Sequence, residues 1–188
     1  MSGRAKYRPE FEAALRLFAR ASGMLTDRGY DPPIVVGGAA VELYSRSAVM
    51  TGDFDISTAR QAVFEEALQA LGFVRPSGAG KLTRGWLHPD LQLGFEVVAS
   101  NLFDGLADRE RLLIVNLDDD GTAAFVSIED MIADRVAQFA SGSAPEMLEQ
   151  ARALLALHSH VDRSYLSRRI FEETAGDYDL ESFEADFA

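Results

Sequence analysis

The chain has 188 residues, 47% of them hydrophobic and 26% charged, enough for one domain that buries its own core. It has no cysteine, so disulfides, thiolate zinc sites and cysteine nucleophiles are excluded, and the composition suits a reducing compartment. Net charge is −12, from 18 basic and 30 acidic residues, whereas binders of duplex DNA carry a basic footprint.

Residues 1–10 are polar with no apolar run of a secretory signal, and no stretch approaches the roughly 20 apolar residues of a membrane span. A soluble, cytoplasmic protein is expected. Residues 7–26 carry Phe11, Leu15, Phe18, Ala19, Met24 and Leu25 at helical spacing, and Asp31-Pro32-Pro33 ends that segment. Ile34-Val35-Val36 reads as a buried strand running into Gly37-Gly38, after which residues 39–45 begin a helix. Asp53 and Asp55 then alternate with Phe54 and Ile56, the pattern of a half-buried strand.

Residues 60–71 form another amphipathic helix, with Gly72 at its C-cap. Segments 73–75 and 85–87 flank a Gly-rich turn at 77–80. Residues 91–98 alternate, with Leu91, Leu93, Phe95 and Val97 on one face and Gln92, Gly94, Glu96 and Val98 on the other. Residues 112–117 and 125–126 read as a hairpin turned by Asp118-Asp119-Asp120-Gly121. Ser127 opens a capping-box spacing, and 129–140, 145–158 and 162–173 are helical. His158 and His160, two apart, face different ways and form no metal pair.

The organisation predicted is an α/β core with its N-terminal helix over 1–126, a helical part over 127–173 and an acidic tail over 174–188. Residues 172–188 hold seven acids and no Lys or Arg, so the rest of the chain carries −5 and the tail reads as a solvating end.

Three features carry chemistry. Backbone N–H groups of a Gly pair at a strand-to-helix turn approach an anion closely. Asp53 and Asp55, two apart on a strand, emerge on one face, where their repulsion favours a cation between them. Glu96 ends a strand whose other face is apolar. Each alone is commonplace. Together they supply the three carboxylates and the phosphate cradle that two-metal phosphoryl transfer requires.

The run Ile34-Val35-Val36-Gly37-Gly38-Ala39-Ala40-Val41-Glu42-Leu43-Tyr44, followed by Thr51-Gly52-Asp53-Phe54-Asp55-Ile56, resembles the signature of the DNA polymerase β-type nucleotidyltransferase superfamily. It is most similar to the branch of AbiEii-type toxins and related bacterial nucleotidyltransferases. The resemblance implies an α+β fold, a mixed β-sheet flanked by helices with a helical C-terminal part. It also implies that Asp53, Asp55 and Glu96 are the catalytic residues and hold Mg²⁺ or Mn²⁺, with Glu96 helping to deprotonate the attacking hydroxyl. Gly37 and Gly38 would hold the β- and γ-phosphates.

Thr51, Arg46, Lys81, Arg84 and Arg135 are the further candidates for contact with the nucleotide or the acceptor. Asp134-Arg135 resembles a pair that opens a helix facing the site in some relatives, though Arg135 stands where a Lys is expected and the family's Arg-x-Lys-Asp feature is not evident. The activity implied is transfer of a nucleoside monophosphate from a nucleoside triphosphate to a hydroxyl of tRNA, a protein or a small molecule. A toxin role with a cognate antitoxin is one form of it; a catalytically inactive nucleotide-binding module is the alternative.

Overall fold

The computed structural model describes residues 7–76, 85–91, 93–142 and 144–185. Helix α1, Pro9–Thr26, starts with Pro at its first turn and acids Glu10 and Glu12 near its positive end. Strand β1, Ile34–Val36, is buried throughout and runs without a break into α2, Gly37–Ser45. Then follow β2 (Asp53–Ser57), α3 (Gln61–Ala70), β3 (Trp86–Leu87), β4 (Gly94–Ala99), β5 (Leu113–Asn116) and β6 (Thr122–Phe125). Four helices finish the described chain: α4 (Ile128–Ala140), α5 (Glu146–Leu157), α6 (Arg163–Glu173) and α7 (Leu180–Ala185). The expected Gly-rich turn at 77–80 lies outside the described residues, and segment 73–75 contributes only the bridge of Val74 to Leu87.

The strands form one mixed sheet in the order β3-β4-β2-β1-β6-β5. β2 runs antiparallel to β1 and parallel to β4, and β1 runs parallel to β6. Register partners Phe54 and Phe95 stack with ring centroids 4.8 Å apart. Phe11 and Phe18 of α1 pack on Phe54, and Phe64 of α3 packs on Phe18. These rings fix α1 and α3 to one face of the sheet. Because side chains alternate along a strand, Asp53, Asp55 and Glu96 point to the other.

The C-terminal helices pack against α2 through α4 and α5. Tyr44 of α2 donates its hydroxyl to the Val126 carbonyl at 2.7 Å, and His158 reaches the Tyr44 carbonyl at 3.0 Å. Ser127 caps α4 as read: its hydroxyl accepts from the Asp130 N–H and donates to Asp130 Oδ2. Fully buried Arg169 then ties α6 to α4, pairing with Asp130 at 2.6 Å, Glu172 at 2.7 Å and Glu173. Removing one member of such a network leaves a buried charge uncompensated, at about 3–5 kcal/mol.

The acidic tail corrects the expectation of a purely solvating end. Through Ala185 it folds back as α7, with Leu180 and Phe183 buried while its acids face outward. Two apolar residues spaced three apart dock it, and Glu184 pairs with Arg163 of α6 at 2.5 Å. Among the described residues no helix is long and apolar enough to cross a membrane.

Candidate active site

Asp53 opens β2 beside Gly94 of β4, and Asp55, two residues on, is the register partner of Glu96. The three carboxylates therefore leave adjacent parallel strands on one face. Val36, last in β1, lies opposite Asp55 on the other side, so the Gly37-Gly38 turn arrives beside the same carboxylate. Gly37 has φ +59°, and a Cβ there would overlap the Asp55 carboxyl group, so this position requires glycine. A Cβ on Gly38 would lie 2.5 Å from Thr51 Oγ1.

Asp55 is half-buried, and burial, with the like charges of Asp53 and Glu96, pushes its pKa up to about 6. The Gly38 N–H, which donates to it, and the positive charge of Arg135 work in the opposite direction. Asp55 thus stands where an additional positive charge would be most strongly stabilised.

Among the described residues no three acid or His side chains close into a ready-made metal cage, and these three are no exception. The donor set nevertheless fits Mg²⁺ or Mn²⁺, which take hard oxygens. Mg²⁺ in particular binds through one or two carboxylates plus substrate phosphates rather than an all-protein cage. Burial, and after it repulsion from Asp53 and Glu96, raises the Asp55 pKa, and such a cation would relieve both.

The other candidates divide. Thr51 is at the site: its hydroxyl donates to the Asp53 carbonyl at 2.9 Å and packs on Gly38. Arg46 is at the C-cap of α2, in left-handed conformation, at the opposite end of that helix from the Gly pair. Lys81 and Arg84 lie outside the described residues. Arg135 and Asp134 stand in the middle of α4, not at its opening, because Ser127 caps the helix two turns earlier. Arg135 is buried, with Nη1 3.2 Å from Gln138 Oε1 and 3.0 Å from Met147 Sδ, and Nε 3.6 Å from Asp134 Oδ2.

A cavity of about 360 Å³ opens beside Asp55, between the sheet and the helices α4 and α6. Its walls are Val36, Gly37, Asp55 and Ser57, then Val98, Ala99, Asn101, Phe103 and Asp104, then Asp134, Gln138 and Glu173. Among the described residues its walls carry four acids and no Lys or Arg. Burial raises the pKa of both Asp134 and Glu173, against the opposing charges of Arg135 and Arg169 respectively. These walls were not evident in the sequence, since α6 reaches the site through long-range packing on α4, where Leu166 and Ile170 enter the core and Arg169 and Tyr165 meet Asp130.

Glu42 was also missed. In the apolar run after the Gly pair it reads as an ordinary helix residue, yet it is fully buried. It takes a two-pronged ion pair from Arg8 at 2.7 and 3.0 Å, the Thr51 N–H at 2.7 Å and the Ser47 hydroxyl at 2.9 Å. Arg8 also donates to the Thr51 carbonyl at 2.5 Å. Glu42 thereby anchors the loop that delivers Thr51 and Asp53. An acid four residues after a Gly-Gly turn and nine before Thr51 was the available signal.

No family model matches the chain, and no curated protein does. Among solved structures it is similar to an antigenic nucleotidyltransferase-like protein from Paracoccidioides brasiliensis, with a TM-score of 0.57. The match covers 94% of this chain and 93% of that one at 15% identity. The fold is therefore nucleotidyltransferase-like, an α+β arrangement with, among the described residues, a mixed six-stranded sheet flanked by seven α-helices.

Proposed function

We propose that the protein is a metal-dependent nucleotidyltransferase that moves a nucleoside monophosphate from a nucleoside triphosphate onto a hydroxyl group. The observation that carries this reading is the convergence of Asp55, Glu96 and the Gly37-Gly38 turn at one register level of the sheet. The fold shared with a nucleotidyltransferase-like protein supports it.

When bound, a divalent cation would neutralise the phosphate oxygens and favour the ionised form of the attacking hydroxyl. Asp53 and Asp55 would hold that cation, and Glu96 would complete the set and accept the hydroxyl proton. The turn at Gly37 and Gly38 brings backbone close to the β- and γ-phosphates, at the positive end of α2. A bond forms from the acceptor oxygen to the α-phosphorus while the bond to the β-phosphate oxygen breaks, and pyrophosphate leaves. The acidic cavity beside Asp55 suits an acceptor with cationic groups, a small molecule or a protein side, better than bulk RNA.

Kinship with AbiEii-type toxins, and with it a cognate antitoxin, belongs to this proposal through the resemblance of residues 34–56. A nucleotide-binding module without activity is the alternative that the test distinguishes. The test is incubation with each labelled nucleoside triphosphate, Mg²⁺ and total cell extract. One labelled acceptor, lost in folded Asp53→Ala, supports transfer; magnesium-dependent binding without any labelled acceptor supports the module.

A further inference from the structure

We infer that the acceptor is a small molecule bearing a primary ammonium group near its hydroxyl, and that the cavity beside Asp55 holds that ammonium among Ser57, Asp134 and Glu173. This rests on the nucleotidyltransferase reading of the site and deepens it. The cavity, about 360 Å³, is of small-molecule size. Ser57 follows Asp55 by two on β2 and so faces the cavity from the same side of the sheet. It is 4% exposed, and its hydroxyl has no hydrogen-bond partner among the described residues. A polar group so buried is ordinarily met by a partner, and here a bound ligand supplies it.

Asp134 of α4 and Glu173 of α6 close the cavity across from the sheet. Each has one oxygen already engaged. Asp134 Oδ2 accepts from Gln138 at 2.8 Å and lies 3.6 Å from Arg135, and Glu173 Oε1 accepts from Arg169. Asp134 Oδ1 and Glu173 Oε2 have no partner among the described residues. The neighbouring cations do not cancel the acids. Arg168 and Arg169 together face three carboxylates, Asp130, Glu172 and Glu173. Asp104, also in the wall, has no cationic partner among the described residues. The free atoms select the ligand. A primary ammonium brings three N–H donors to three single acceptors on three different elements. A guanidinium binds best through two parallel bonds to one carboxylate, and neither Asp134 nor Glu173 has both oxygens free.

NMR titration of isotope-labelled protein with ethanolamine, ethylene glycol and guanidinoethanol, at constant ionic strength, tests this. Ethanolamine should shift the Ser57, Asp134 and Glu173 amides and bind about ten-fold more tightly than either analogue, since only it makes all three charge-assisted bonds. Asp134→Asn and Ser57→Ala should each weaken that binding about five-fold with an unchanged circular dichroism spectrum. Equal binding of an analogue, or shifts that persist undiminished in both variants, overturns the inference. The labelled product formed from nucleoside triphosphate and cell extract should also react with an amine-directed acetylating reagent. A labelled product without an amine overturns the inference and leaves transfer intact, whereas ethanolamine binding with no labelled product supports the ammonium site and counts against transfer.

Discussion

Asp55 and Glu96 leave neighbouring parallel strands at the same level, one register step from the stacked pair Phe54 and Phe95 on the opposite face. The apolar pair holds the two strands in the register that presents the acidic pair. A one-residue slip of β4 would send Glu96 into the phenylalanine core and Phe95 toward the site.

This crowding has a cost in the metal-free protein. The folded-state pKa of Asp55, about 6, lies above its ordinary 3.8, so the folded chain binds the extra proton between those values. Its contribution to stability is fully present below the lower value and is lost as pH rises through the upper one. Asp55→Asn should therefore raise the metal-free melting temperature near neutral pH and flatten the pH dependence over that window. Asp53→Asn should lower the Asp55 pKa, because a like charge is removed. Thermal melts across the pH range and an NMR titration of the carboxyl carbons check both.

Gly37→Ala should be damaging. Its positive φ costs about 1 kcal/mol for any L-residue, and the new methyl must displace the Asp55 carboxylate. Gly23→Ala in α1, where a Cβ meets nothing within 4 Å, should stabilise by up to about 1 kcal/mol. Melting temperatures of the pair separate local geometry from a general effect of losing glycine.

Glu42→Gln leaves Arg8 without its counter-ion and should destabilise by about 2–3 kcal/mol, below a wholly buried pair because Arg8 is partly exposed. Burial pushes the Glu42 pKa up, but the bonds from Arg8, Thr51 and Ser47 outweigh it and the net shift is downward. Its stabilisation is present at neutral pH and disappears as pH falls through the lowered value. Urea unfolding of wild type and variant at neutral and acid pH measures this.

Phe183→Ala should cost about 3 kcal/mol if α7 unfolds together with the body, since the ring is wholly buried. Urea unfolding gives the number; a change within about 0.5 kcal/mol would mean that α7 frays independently.

The strands and most helices were legible because their apolar periods are clean: Phe54 and Ile56 against Asp53 and Asp55, or Leu93 and Phe95 against Gly94 and Glu96. The three acids could be named from that alternation alone. The remainder depended on long-range packing. Glu42 looks like a helix-surface acid until Arg8 arrives from 34 residues away. Asp134 and Glu173 share a cavity because α6 packs onto α4, through Arg169 and Tyr165 on Asp130 and through buried Leu166 and Ile170. Composition concealed α7, whose two buried residues sit among acids. Arg46 was a candidate contact for the nucleotide or the acceptor, and the nine residues of α2 place it at the other end of that helix from the Gly pair.

The most direct test is calorimetric titration of each nucleoside triphosphate, with and without Mg²⁺, into wild type and the double variant Asp53→Asn/Asp55→Asn. The expected result is binding of at least one triphosphate by the wild type that requires Mg²⁺ and is lost in the folded variant. Equal binding by both proteins, or no Mg²⁺-dependent binding of any triphosphate by the wild type, would contradict the assignment of these carboxylates.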